Sequence, residues 1–317
     1  MAPRPRFLSF ASGVPAAAGD GHEKPSPLLP MLALPESARN NFVAVIGEFV
    51  GTFLFLFFAF AGTQIATDPS SSSESLTTLI FIALAFGVSL TANVWAFYRV
   101  TGGLFNPAVT LALFLVGGLP GLRSVFVIIS QLLGGIAAAA VVSGLFPGPM
   151  GVATTLGRGT SVTQGLFIEM FLTAELVFVI IMVAAEKHKG TYLAPVAIGI
   201  AFFLTQLVGV TFTGGSLNPA RSLGPAAVSA SFPGYFWIYV LGPILGALLA
   251  SAFYSLLKYL RWKECNPGQD WDDIENLRNH KHGVRSGNSV GVDPLQAGED
   301  EGEGRQDGAV QSGVQGV

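Results

Sequence analysis

The sequence predicts an all-α membrane protein: six transmembrane helices plus two half-helices, arranged as inverted repeats. Three observations carry that prediction. Charge is scarce in the middle of the chain, where residues 41–257 hold 12 of the 37 charged side chains although they make up 217 of the 317 positions. A soluble domain of that size needs a largely polar exterior, so this block faces lipid. Six stretches within it are long and apolar enough to cross a bilayer, which takes about 20 residues. Finally, the triplet Asn-Pro-Ala occurs twice, at 106–108 and 218–220, each time in an apolar stretch too short to cross.

Taken in order, residues 1–40 contain seven prolines and read as a disordered tail. The first span covers about 42–66 and carries Glu48 and Thr52 within EFVGTFLFLF. A turn-rich TDPSSSSES (67–75) leads to the second span at about 77–98. The short stretch LFNPAVTLALFLV (104–116) follows, then the third span at about 122–144 with Gln131, Gly134 and Gly135. A Gly/Pro/Thr-rich connector (146–164) leads to the fourth span at about 165–185, which holds Glu169, Thr173 and Glu175. EKHKG (186–190) turns the chain into the fifth span at about 193–212. The second short stretch, SLNPARSLGPAAV (216–228), precedes the sixth span at about 234–257 with Gly242, Pro243 and Gly246. Residues 258–317 read as a mostly disordered tail ending in the acidic group Glu299, Asp300, Glu301 and Glu303.

The two triplets lie 112 residues apart, and the same shift relates Gln131 and Gly134 to Pro243 and Gly246. Glu48 with Thr52 likewise matches Glu169 with Thr173. The chain is therefore an internal repeat, about 41–144 and 165–257. Three spans per unit is an odd number, so the second copy sits inverted in the membrane. Arginine and lysine set the orientation. Arg39, Arg99, Arg123, Lys187, Lys189, Lys258, Arg261 and Lys263 lie in the tails and alternate loops, against only Arg158 and Arg221 in the opposite loops. Both termini are expected in the cytoplasm, on a multi-pass protein of the plasma membrane or an internal membrane.

Composition also excludes classes. A net charge of −3 supplies no basic surface for nucleic acid. The lone cysteine, Cys265, excludes a disulfide framework and a Cys-based zinc site. The four histidines (22, 188, 280 and 282) all lie outside the spans, and no His pair, HExxH or Ser–His constellation lies within them. Neither an enzyme nor a cofactor is expected. The opening MAPRPRFLSFASG has too brief an apolar run for a cleaved signal peptide.

Each triplet starts a helix, because asparagine is a favoured N-cap and proline at the next position loses no hydrogen bond. A helix of 10–12 residues spans about half of the hydrocarbon core. With inverted copies, one enters from each side and the two N-termini meet near the midplane. Each contributes roughly half a positive charge, a barrier to cations and protons of the kind half-helix pores use. The asparagine oxygen can cap its own helix while its NH2 donates outward to a neutral solute.

GGLFNPAVTLAL and TGGSLNPARSLGP, with EFVGTFLFLF in the first span and LAFG in the second, resemble the aquaporin (major intrinsic protein) family over about residues 41–257. The resemblance implies the hourglass fold, a homotetramer and one pore per subunit. It assigns the pore to Asn106, Pro107, Ala108, Asn218, Pro219 and Ala220, and a second constriction to Phe86, Gln206, Gly215 and Arg221. Physical reasoning agrees on Arg221, since a charge in the first turn of a membrane half-helix is costly and defaults to a lumen-facing role. Glu48 and Glu169 are expected to support the half-helices by accepting backbone hydrogen bonds, whereas Glu175 has no repeat partner and no assigned role.

Two positions depart from the water-selective pattern. Gln206 stands where such members carry His, and Gly215 leaves more room than the usual Cys, Ala or Thr. Against this, Ser222 replaces the Asp typical of glycerol-conducting relatives, and Ala226 replaces a basic residue. The expectation is a passive water channel, closer to water channels than to glycerol facilitators, that excludes protons and ions and also passes small neutral solutes. The alternatives are a glycerol or hydrogen peroxide facilitator and an ion-coupled secondary transporter. Transporters share inverted repeats and broken helices, but a coupled carrier should place ionisable pairs where this chain has neutral Asn.

Overall fold

A computed structural model describes residues 35–67 and 75–266 of the chain, all within one compact unit. The proposed disorder of the tails falls largely outside these residues, as do the acidic group and most of the 67–75 link. The described residues form α1 (Glu36–Ala66), α2 (Ser75–Phe97), α3 (Pro107–Leu115), α4 (Gly121–Leu145), α5 (Val162–Ile180), α6 (Ala194–Thr213), α7 (Pro219–Val228) and α8 (Ile238–Tyr259). Six helical segments among them are long and apolar enough to cross a membrane. The other two, α3 and α7, have 9 and 10 residues, about 14–15 Å at 1.5 Å per residue.

Boundaries differ from the hydropathy reading where polar residues take helical form. The first helix reaches back to Glu36, into the segment expected to be tail. Pro35 takes an extended conformation before it (φ −49, ψ 143), and Glu36 places a negative charge on its first turn. Asn41 Oδ1 then accepts from Arg123 Nε at 2.9 Å, tying the starts of α1 and α4 together. At the other extreme α8 begins only at Ile238, because Pro233–Trp237 is taken up by turns such as Phe236 N to Pro233 O, 2.8 Å. The fourth span continues beyond α5 as one π turn, Ile181–Ala185, and a 3-10 turn, Lys189–Leu193, leads into α6.

The bundle is apolar outside as well as inside. Phe58, Val88, Phe171, Ile200 and Leu256 are among the many large side chains left exposed, as expected where lipid replaces water. Within each half the first helix packs against the other two, α1 on α2 and α4, α5 on α6 and α8, while α2 against α6 joins the halves. The half-helices cross over: α7 packs on α4 of the first half, and α3 packs on α8 of the second as well as on α4. The α4–α7 crossing depends on missing side chains. A Cβ on Gly135 would run into the Ala220 carbonyl, and one on Gly224 into that of Gly135. Small residues at such contacts let helix backbones approach closely.

The ends of the bundle are distinct. The start of α1, the end of α2 and the end of α8 lie at one end, here called proximal. Lys263 Nζ, just after α8, pairs there with Glu186 Oε2 at 3.1 Å, and Tyr254 donates to the same carboxylate. The connector 146–161 lies at the opposite, distal end.

Candidate functional site

Both half-helices begin as their triplets dictate. Asn106 and Asn218 are extended (φ −151 and −148), and each is followed by proline in the first helical turn. Asn106 Oδ1 accepts from Ala108 N at 2.8 Å, and Asn218 Oδ1 from Ala220 N at 2.9 Å. The amide nitrogens cross between the halves. Asn106 Nδ2 donates to Leu217 O at 2.9 Å, and Asn218 Nδ2 donates to Phe105 O at 2.9 Å. The two N-termini thus meet in the interior of the bundle. Each amide has two N–H groups, and this contact uses one.

The carbonyls that receive these bonds belong to left-handed residues, Phe105 at φ 50 and Leu217 at φ 52. Such a conformation costs a bulky residue on the order of 1–3 kcal/mol and persists only where its surroundings enforce it. Glu48 and Glu169, both fully buried, supply the enforcement. Glu48 accepts from Leu104 N at 3.1 Å and from Phe105 N at 2.8 Å. Glu169 accepts from Ser216 N at 2.9 Å and from Leu217 N at 2.7 Å. Here the repeat symmetry is incomplete. Gln131 Nε2 also donates to Glu48 at 2.8 Å, whereas proline, which has no side-chain donor, stands at the matching position 243.

Phe86, Gln206, Gly215 and Arg221 come together between the half-helix starts and the distal end. Arg221 is 2% exposed, and its guanidinium is clamped by two carbonyls, Val152 O at 2.7 Å from Nη1 and Gly214 O at 3.2 Å from Nη2. Its Cζ lies 5.1 Å from the ring centre of Phe86 and 5.6 Å from that of Phe60, within cation–π range. Gln206 Nε2 donates to Gly215 O at 3.0 Å. Gln206 Oε1 and Arg221 Nε are buried and have no protein partner among the described residues.

The extra room expected at Gly215 is not empty. A Cβ built there would stand 2.5 Å from Gln206 Oε1 and 3.0 Å from its Cδ, at a φ of +59. The glutamine amide lies where that side chain would be, so positions 206 and 215 act as one unit. Ser222 joins a hydroxyl group with Ser216 (2.5 Å) and Thr154 (3.0 Å). This links the connector 146–161 to α7.

Toward the proximal end, a cavity of about 10 Å³ lined by Asn106, Asn218, Phe55 and Val94 adjoins one of about 20 Å³. Both share Gly103, Leu104, Val109, Ile180 and Ile198. A much roomier cleft of about 600 Å³ lies away from this line, against Phe167, Phe171 and Phe212 of α5 and α6. Glu175 is exposed, one helical turn beyond Phe171, so it lies outside the site. Sequence reasoning missed Val152, which acts through a carbonyl that every residue type possesses, and Phe60, which has no motif to distinguish it from the other 24 phenylalanines.

A family model described as major intrinsic protein matches residues 36–254. Aquaporin-7 of Botryotinia fuckeliana (strain B05.10) is 58% identical over 247 residues, 75% of this chain and 54% of that relative. Aquaporin-1 of Gibberella zeae is 48% identical over 247 residues, 76% of this chain and 77% of the relative. The chain spans about half the length of Aquaporin-7 and Aquaporin-5 of B. fuckeliana (54% and 45%). The X-ray structure of the aquaglyceroporin from Plasmodium falciparum superimposes with a TM-score of 0.61 at 23% identity, covering 68% of this chain and 95% of that one. At that identity the likeness concerns the fold alone.

Proposed function

Because the chain belongs to the major intrinsic protein family, we propose that it is a passive transmembrane channel for water that excludes protons and ions. The observation that carries this reading is the reciprocal pair Asn106–Leu217 and Asn218–Phe105, which fixes two helix N-termini face to face in a membrane bundle. Their summed dipoles repel cations. The N–H left on each amide holds a passing water by its oxygen, which interrupts proton relay along the file. Phe86, Gln206, Gly215 and Arg221 form the selectivity filter, and the functional unit is a homotetramer with both tails in the cytoplasm.

A second permeant class is favoured by the filter's free polar atoms. Gln206 Oε1 is an acceptor and Arg221 Nε a donor, both buried and without protein partners among the described residues. A small hydroxylated solute such as hydrogen peroxide or glycerol satisfies both. Osmotic shrinkage of vesicles, followed by stopped-flow light scattering, is expected to show fast water flux with slower glycerol entry and no dependence on an ion gradient. Flux that requires the gradient would establish a coupled transporter instead.

The filter assignment carries its own prediction. Gly215→Ala should displace the Gln206 amide into the lumen, because the new methyl group and the amide compete for one space. Glycerol permeability is expected to fall more than water permeability. A glycerol-to-water ratio unchanged from wild type would show that the amide does not border the passage.

A further inference from the structure

We propose that the Tyr98 hydroxyl is a hydrogen-bonding station for permeating water at the proximal mouth, the next side-chain station after the two asparagines. This rests on the channel reading above. Tyr98 follows the last residue of α2 and contributes to the cavity of about 20 Å³. Every other side chain lining that cavity is apolar: Leu104, Val109, Leu113, Ile180, Ala184, Ala185 and Ile198, beside Gly102 and Gly103. The hydroxyl is buried and has no partner among the described residues. An unsatisfied buried hydroxyl is destabilising, a cost that phenylalanine at this position would not incur.

Space and position identify the missing partner. A water needs a cavity of about 10–15 Å³ and polar groups to hold it. The 20 Å³ cavity admits one, and it shares five lining residues with the 10 Å³ cavity beneath Asn106 and Asn218. On the channel reading, water leaving the asparagines passes between the apolar side chains common to both cavities and reaches the one that Tyr98 lines. The wall that includes Ala184 and Ala185 is built of methyl groups from the π turn, so the phenol ring sets much of the bore on its own side. The ring is held by its backbone. After α2 the chain turns through Val100 N and Thr101 N to Phe97 O (2.9 and 3.0 Å). Gly103 lies so close to α2 that a Cβ there would be 3.0 Å from Val94 Cα. A phenol is neutral at physiological pH, able both to donate and to accept.

Two variants separate the hydroxyl from the ring. Tyr98→Phe keeps the bore and loses the station; a lost hydrogen bond of about 0.5–1.5 kcal/mol corresponds to a two- to tenfold fall in water permeability per channel. Tyr98→Ala removes the ring as well and is expected to raise both water and glycerol permeability. Vesicles reconstituted with equal amounts of each protein, counted by immunoblot, give the comparison. Wild-type flux that neither variant changes, or that both lower equally, would overturn the station alone. Wild-type vesicles no faster than empty ones would overturn the channel reading, and the station with it.

Discussion

Replacing Glu169 by alanine is expected to cost the protein most of its folded population. The carboxylate holds Ser216 N and Leu217 N (2.9 and 2.7 Å) at a depth where water cannot replace it. Leaving two buried N–H groups unpaired costs roughly 1–3 kcal/mol each, and the left-handed Leu217 loses its anchor. Net stabilities of about 5–15 kcal/mol leave little margin for such a loss. Glu48→Ala should be worse, because Gln131 Nε2 loses an acceptor along with the two backbone donors. Glu169→Gln keeps one acceptor oxygen and should fall between alanine and wild type. Thermal unfolding of the detergent-purified proteins, followed by tryptophan fluorescence, tests the order. An alanine variant melting within about 2 °C of wild type, less than a 1 kcal/mol effect in a domain of this length, would show that the carboxylate is not the support.

Half-helices and their supports were legible in the sequence because their chemistry is local or rare. Asn followed by Pro is a helix start wherever it occurs, and a carboxylate within an apolar span stands out against everything around it. The partners that complete the site were not legible. Val152 clamps Arg221 through a main-chain carbonyl 69 positions away in the chain, and a carbonyl leaves no residue-type signature. Gln206 and Gly215 read separately as a weak polar group and a gap. Only the approach of the chain before Asn218 to α6 shows that one side chain fills the other's space. Tyr98 escaped notice because residues 101–105 must first fold back on α2 before the residue lines a cavity. Hydropathy likewise missed the first turns of α1, since ESARNN adds helix but no apolar signal.

Arg221→Ala is expected to weaken discrimination against cations and larger solutes while the bundle stays folded. In the filter proposed above, the guanidinium keeps Nε without a protein partner among the described residues, as neither carbonyl clamp uses that atom. For a cation passing at roughly 6 Å in an effective dielectric of about 20, the repulsion is about 3 kcal/mol. Its loss corresponds to about a hundredfold in entry rate. Glycerol permeability should rise too, since deleting the side chain opens the space beside Phe86 and Phe60. Arg221→Lys distinguishes charge from shape: a point ammonium retains the repulsion but cannot reproduce the planar fork held by Val152 and Gly214. Lysine should therefore keep methylammonium out while relaxing selection among neutral solutes, and alanine should relax both. Protons face a second obstacle. The asparagine amides that interrupt the proton relay remain in place in both variants, and methylammonium moves by no such relay, so proton leak should rise far less than methylammonium entry. Parallel uptake of methylammonium, glycerol and protons in vesicles separates the two barriers. An alanine variant with wild-type selectivity would place the discriminating constriction elsewhere, whereas equal increases for both cations would show that the asparagine pair does not interrupt the proton relay.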